Sequence, residues 1–219
     1  MSVSGRWSIV AMVIVVALGA ALWTELGDDQ AADRSGAVSP ETITARDRRD
    51  ADTAEALTVP RARADLDPCP GPGQGRGPER LRGIVLECAG DGSLVDVAEA
   101  LAGRTVVLNL WAYWCGPCTD ELPAMAEYQR RVGPDVTVLT VHQDENESAA
   151  LLRLAELGVH LPTLQDGRRL IAAALRVPNV MPATVVLRAD GSVAEILPRS
   201  FSNADEIAAA VDPEIGVTR

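Results

Sequence analysis

Three patterns of apolar and polar positions follow one another along the chain. Trp7 to Trp23 reads WSIVAMVIVVALGAALW, seventeen residues without a charge. Residues 27–64 show little apolar periodicity and many mixed charges, as in ADRSGAVSPETITARDRRDADTAE. From Leu66 onward, short apolar runs and helix-like stretches alternate between turn signals. The first pattern suits a membrane-spanning segment. The second buries too little surface to offset its ordering entropy and reads as a solvated, flexible tether. The third predicts a folded domain over residues 65–219.

Within that domain, PCPGPGQGRGP (68–78) is a loop that no helix or central strand tolerates. GIVLEC followed by Ala89-Gly90-Asp91-Gly92 predicts a short strand and a reversal. Val95 to Leu101 reads as a helix. TVVLNLW, Thr105 to Trp111, is a continuous apolar run of the kind that fills a central strand covered on both faces. A helix is expected from Cys115 to Arg131, with Leu122, Met125 and Val132 near one face. VTVLTV (136–141) is a second buried strand, and ESAALLRLAEL (147–157) a helix ended by Gly158. LPTLQDG suits a brief extended piece and Arg168 to Leu175 a helix. ATVVLRADGSVAEIL is a hairpin around Asp190-Gly191, and Asn203 caps a closing helix through Val211. The order strand–helix–strand, then hairpin–helix, predicts an α/β domain with a central mixed sheet flanked by helices.

The N-terminal run spans about 25 Å as a helix, slightly short of a bilayer core of about 30 Å. Trp7 and Trp23 suit the two interfaces. Arg6 precedes the run, while Glu25, Asp28 and Asp29 follow it, which places residues 1–6 in the cytoplasm and the later chain outside. Residues 7–26 are therefore read as a single-pass anchor in the cell membrane. A cleaved signal peptide with secretion is the alternative, because Gly19-Ala20-Ala21 resembles a cleavage site. Both readings export the domain. The formal net charge of −11 argues against a nucleic-acid partner. All 20 basic residues are arginines, which excludes a lysine base or Schiff-base nucleophile.

The chemistry is concentrated in WCGPC, residues 114–118. Zinc commonly needs two such cysteine pairs, or a pair plus two histidines. The chain has one pair, and His142 and His160 lie in no ligand-spaced motif, so no metal is expected. A static staple is unattractive, because closing so small a loop removes little unfolded-state entropy. The pair instead follows a buried strand and opens a helix, where free N–H groups and the helix dipole favour negative charge. A Cys115 thiolate there has a lowered pKa and is the attacking species in disulfide exchange. Pro117 fits the first helical turn, and Cys118 is placed to resolve a mixed disulfide.

WCGPC is the thioredoxin active-site motif, and VVLNLWAYWCGPCTDELP (106–123) is similar to exported thioredoxin-like proteins of the TlpA/ResA type. The resemblance covers roughly residues 80–211 in order of elements. It implies a thioredoxin fold and thiol–disulfide oxidoreductase activity with no cofactor beyond the Cys115–Cys118 pair. It also implies a cis Pro182 that docks substrate backbone, with Met181 touching substrate and Trp114 lining the face around Cys115. Two departures from cytosolic thioredoxins matter. Their buried Asp six residues before the first cysteine is here Asn109, which cannot accept a proton. The TlpA/ResA pattern has a Glu three residues after the second cysteine, and Glu121 fits it. A partly buried carboxyl there moves protons for Cys118; the plainer alternative is a first-turn Glu favouring the dipole. Tyr113 stands where the family often has a small residue. A role for His142 at the strand end is set aside.

Cys69 and Cys88 lie outside the motif. In an exported domain disulfides persist, so a Cys69–Cys88 bridge is expected to pin the Pro/Gly-rich loop to the first strand, with a relaying second redox pair as alternative. The resulting expectation is a membrane-anchored reductase of disulfides in exported proteins. By family analogy its electron donor is a membrane thiol transporter and its acceptors are apocytochrome c or other exported thiol proteins. The alternatives are a thioredoxin-fold copper-chaperone-like module using the CxxC thiolates, and an oxidant or isomerase of the same fold.

Overall fold

The computed structural model describes residues 52–216. The expected anchor at 7–26 and most of the expected tether lie outside these residues. Seven strands form one mixed sheet: β1 (Val85–Cys88), β2 (Leu94–Asp96), β3 (Thr105–Trp111), β4 (Val136–His142), β5 (Thr163–Gln165), β6 (Ala183–Leu187) and β7 (Val193–Leu197), in the order β2-β1-β5-β4-β3-β6-β7. β3 runs parallel to β4, and β4 to β5, while β6 and β1 join antiparallel on either side. Six α-helices are described: α1 (Ala54–Ala64), α2 (Val97–Ala100), α3 (Gly116–Val132), α4 (Glu147–Leu157), α5 (Leu170–Leu175) and α6 (Ala204–Ile215).

The apolar run of β3 splits by parity, because successive strand side chains point to opposite faces. Val106, Leu108 and Leu110 join the core under α2 and α5. Val107 and Trp111 join the core under α3, α4 and α6, with Leu122, Met125, Leu154 and Ile207. Asn109 shares the second face and is fully buried there. Truncating such a side chain as Leu122 to Ala is expected to cost roughly 2–5 kcal/mol. Tyr128, also in this layer, donates its hydroxyl to Asp212 at 2.8 Å and ties α3 to α6.

The expected tether is corrected at its C-terminal end, where residues 54–64 form α1. Thr53 caps the helix by accepting from the Ala56 N–H at 3.3 Å. Leu57 and Ala64, two turns apart, are buried against Ala89 and Leu151. Arg61 donates to the Ala89 carbonyl and to Glu147, and also pairs with Glu87. Two apolar anchors among charges leave almost no periodic signal, and the docking comes from partners far away in sequence. A second correction concerns residues 95–101, which divide into β2 and the short α2 with Asp96 as the cap at the junction. α5 also begins two residues later than expected, after Asp166 has accepted from the Leu170 and Ile171 N–H groups.

Candidate active site

Pairing of Trp111 with His142 ends the parallel β3–β4 ladder, and the next residues turn into α3. The Cys115 N–H bonds to the Ala112 carbonyl at 3.0 Å, closing that turn. Cys115 is then the N-cap of α3, and its Sγ accepts from the Cys118 N–H at 3.2 Å. This is where a helix has spare N–H groups and its positive end, so the arrangement favours a thiolate at Cys115 over one at Cys118. The two sulfurs are joined as a disulfide. Cys115 retains 5 % exposure and Cys118 none, which leaves Cys115 the more accessible of the two sulfurs.

One turn beyond Cys118, Glu121 is fully buried. Asn109 Nδ2 donates to its Oε2 at 2.6 Å, and the Phe201 N–H donates to its Oε1 at 3.0 Å. Both donors are neutral. Burial dominates and raises its pKa from 4.5 to about 7, with the two hydrogen bonds pulling the other way. The carboxyl therefore changes protonation in the range where thiols exchange. Asn109 Oδ1 is buried without a partner.

The third wall is the Met181–Pro182 peptide, which is cis. Ala183 pairs with Leu110 in the β3–β6 ladder, so Pro182 flanks the end of β3 from which the cysteine loop departs. Met181 packs partly buried on the cluster that holds Cys115 and Cys118. Trp114 and Val180 are left exposed, at 59 % and 46 %. Exposed apolar side chains beside a disulfide and a cis-proline make a surface suited to an extended polypeptide.

The Redoxin family profile matches residues 59–210, more than half of the chain. The chain belongs to the Redoxin family. It is similar to thiol-disulfide oxidoreductase ResA of Bacillus subtilis, at 29 % identity over 108 residues, covering 49 % of this chain and 59 % of that protein. It thus spans about three fifths of that relative's length. Thioredoxin 1 of Synechococcus elongatus is 33 % identical over 85 residues, covering 37 % of this chain and 76 % of that protein. Among solved structures, a secreted Mycobacterium tuberculosis disulfide oxidoreductase homologous to E. coli DsbE aligns at TM-score 0.51 and 26 % identity, covering 60 % of this chain and 98 % of that one.

Several residues around the site of this redoxin escape a reading of motifs. His142 is fully buried against Trp111 and Tyr113. Its Nε2 accepts from the Tyr113 N–H at 3.4 Å, so the Nδ1–H donates to Gln165 Oε1 at 2.8 Å. Burial lowers its pKa, which keeps the neutral ring this pattern requires. Gln165 donates in turn to the Asp144 carbonyl at 2.7 Å, and Asp144 accepts from the Trp114 indole at 3.0 Å. A chain of hydrogen bonds thus runs from under the cysteine loop to its exposed Trp. On the other side, Arg169 donates to Gln143 Oε1 at 3.1 Å and to Asn179 Oδ1 at 2.7 Å, stapling the loop before Pro182 to the end of β4. Only His142, at a strand end beside the motif, carried any sequence signal.

The redoxin's other two cysteines form a bridge between the Pro/Gly-rich loop and the end of β1. Cys69 Sγ lies 3.4 Å from the Thr163 carbonyl oxygen. Gly73 and Gly77 in that loop lie so close to the Ala102 and Ala98 carbonyls that a Cβ would collide with them, at 2.0 and 1.7 Å. Among the described residues no group of three or more His, Cys, Asp or Glu side chains is placed to hold a metal.

Proposed function

We propose that this chain is a thiol–disulfide oxidoreductase, exported and anchored by residues 7–26, that reduces disulfides in exported proteins. The observation that carries the reading is Cys115 as N-cap of α3, its sulfur holding an N–H, beside cis-Pro182 and the buried Glu121. In the reaction, the Cys115 thiolate attacks one sulfur of a partner disulfide. The partner's S–S bond breaks, and its second sulfur leaves as a thiolate that takes up a proton. Cys118, deprotonated with Glu121 as acceptor, then attacks Cys115 Sγ and releases the first partner sulfur. Two electrons pass to the partner, and the Cys115–Cys118 disulfide remains. Pro182 docks the partner's backbone, Met181 touches the partner, and Trp114 lines the face around Cys115.

The extracytoplasmic location rests on the N-terminal pattern and agrees with the relative described as secreted. A reductase there needs resupply, and a membrane thiol donor fits, with apocytochrome c among the acceptors that the TlpA/ResA-type resemblance implies. Gly116-Pro117 between the cysteines supports the reducing direction. Equilibrating the full-length protein with graded dithiothreitol mixtures tests this. A potential close to thioredoxin's, about −270 mV, is expected, whereas a value near the oxidant range of about −120 mV overturns the direction.

A further inference from the structure

In a chain of net charge −11, α5 and its flanks gather positive charge. Arg168, Arg169 and Arg176 line a groove of about 410 Å³ together with Val177 and Asn179, and no acidic residue contributes to it. The one acid between residues 166 and 179, Asp166, is buried with its oxygens accepting from Leu170 and Ile171. Arg169 is accounted for by its bonds to Gln143 and Asn179. Arg168 and Arg176 are exposed, and among the described residues neither forms a salt bridge.

The backbone adds an independent observation. Arg169 and Arg176 both adopt left-handed conformations, φ 57° and 59°, at the two ends of a helix six residues long. Gly or Asn fills such positions with less strain. Arginines there frame the helix with guanidinium groups, which are suited to bidentate recognition of carboxylates. The groove is also continuous with the docking loop, since Asn179 stands two residues before Met181. A polypeptide crossing Pro182 toward Asn179 meets the arginines next.

We infer that this groove docks an acidic segment flanking the disulfide of the partner protein. The inference rests on the oxidoreductase reading and narrows its substrate class to disulfides followed or preceded by Asp/Glu-rich chain. Arg169 holds the loop, and Arg168 and Arg176 provide the free charge. The interaction is between exposed groups, so it is salt-dependent.

The test compares two peptides with the same disulfide, one with an acidic flank and one with a neutral flank, reduced by the full-length protein and by an R168Q/R176Q double variant. The acidic peptide is expected to show a KM lower by about threefold to tenfold in the unaltered protein, the range two exposed ion pairs supply. That advantage disappears in the double variant and at high salt, with kcat unchanged. Equal KM values for the two peptides, or an advantage that survives the double substitution, overturn the inference. Arginine-dependent binding to phosphatidylglycerol vesicles with no peptide preference also overturns it and assigns the groove to a membrane surface. Reduction of the small neutral hydroxyethyl disulfide separates the two readings. Its loss in the unaltered protein contradicts the oxidoreductase activity itself, whereas its retention leaves only the docking at issue.

Discussion

The two disulfides differ in a way that accessibility does not capture. Cys69 is partly buried, while Cys115 is 5 % exposed, so the bridge outside the motif is at least as open to solvent. What differs is the dipole facing each sulfur. Cys115 Sγ accepts an N–H at the positive end of a seventeen-residue helix. Cys69 Sγ faces the Thr163 carbonyl oxygen, the negative end of a peptide dipole. A thiolate is favoured in the first setting and disfavoured in the second. The first also has neighbours that suit the proposed exchange: cis-Pro182, exposed Trp114, and a buried carboxyl whose pKa is raised to about 7. The second has only a glycine-rich loop packed backbone to backbone against α2. On the proposed reading, local polarity is what separates the exchanging bridge from the stapling one.

The largest expected effect breaks this contrast directly. Cys115→Ser is expected to reduce disulfide exchange to background, measured as turnover of a disulfide peptide. The paired substitution Cys69→Ser with Cys88→Ser should leave turnover in place and lower unfolding stability by about 3 kcal/mol in denaturant titration. Loss of turnover in the second variant would count against a purely structural bridge.

Next in size, Pro182→Ala is expected to lower kcat/KM for a protein disulfide by on the order of 10²-fold through misplacement of the substrate chain. Reactivity of Cys115 toward a small alkylating agent should change far less, since that reaction needs no docking. A parallel fall in both would remove Pro182 from substrate positioning.

Glu121→Gln sharpens the comparison through pH. The folded pKa of about 7 lies above the ordinary 4.5, so the native protein retains a proton that the unfolded chain loses between those values. Stability from this group is complete below the ordinary value and declines as pH rises through the window to about 7. Glu121→Gln is therefore expected to be more stable than the parent above neutrality, by on the order of 3 kcal/mol, with little difference at acidic pH. Its exchange rate should also lose the inflection near pH 7, whereas an unchanged profile assigns Glu121 no part in proton transfer. The smallest effect is Trp114→Ala: a stability change within about 0.5 kcal/mol, as for other surface positions, with a higher KM for protein disulfides.

Much of the fold was legible because β3 and β4 are unbroken apolar runs and because Gly158, Asn203 and Asp190-Gly191 mark their own turns and caps. α1 was not legible, since Arg61 gains its partners from Glu87 and Glu147, and no local pattern encodes a pairing across that distance. The β2–α2 junction has no local signature, because seven residues with helical composition are shared between a sheet edge and one turn of helix. At the site, WCGPC and Met181-Pro182 are local signatures and could be read. The roles around them are three-dimensional: Asn109 meets Glu121 only because β3 parity turns it toward α3, and Arg169 reaches Asn179 only after α5 reverses the chain.

The most direct test of the central contrast is timed alkylation of the full-length protein in graded reductant, with the labelled cysteines identified by mass spectrometry. Modification of Cys115 is expected first, at mildly reducing potential and at pH values below the ordinary thiol range, with Cys69 and Cys88 protected until much stronger reduction. Labelling of Cys69 or Cys88 together with Cys115, or ahead of it, would contradict the assignment of chemistry to one bridge and stapling to the other.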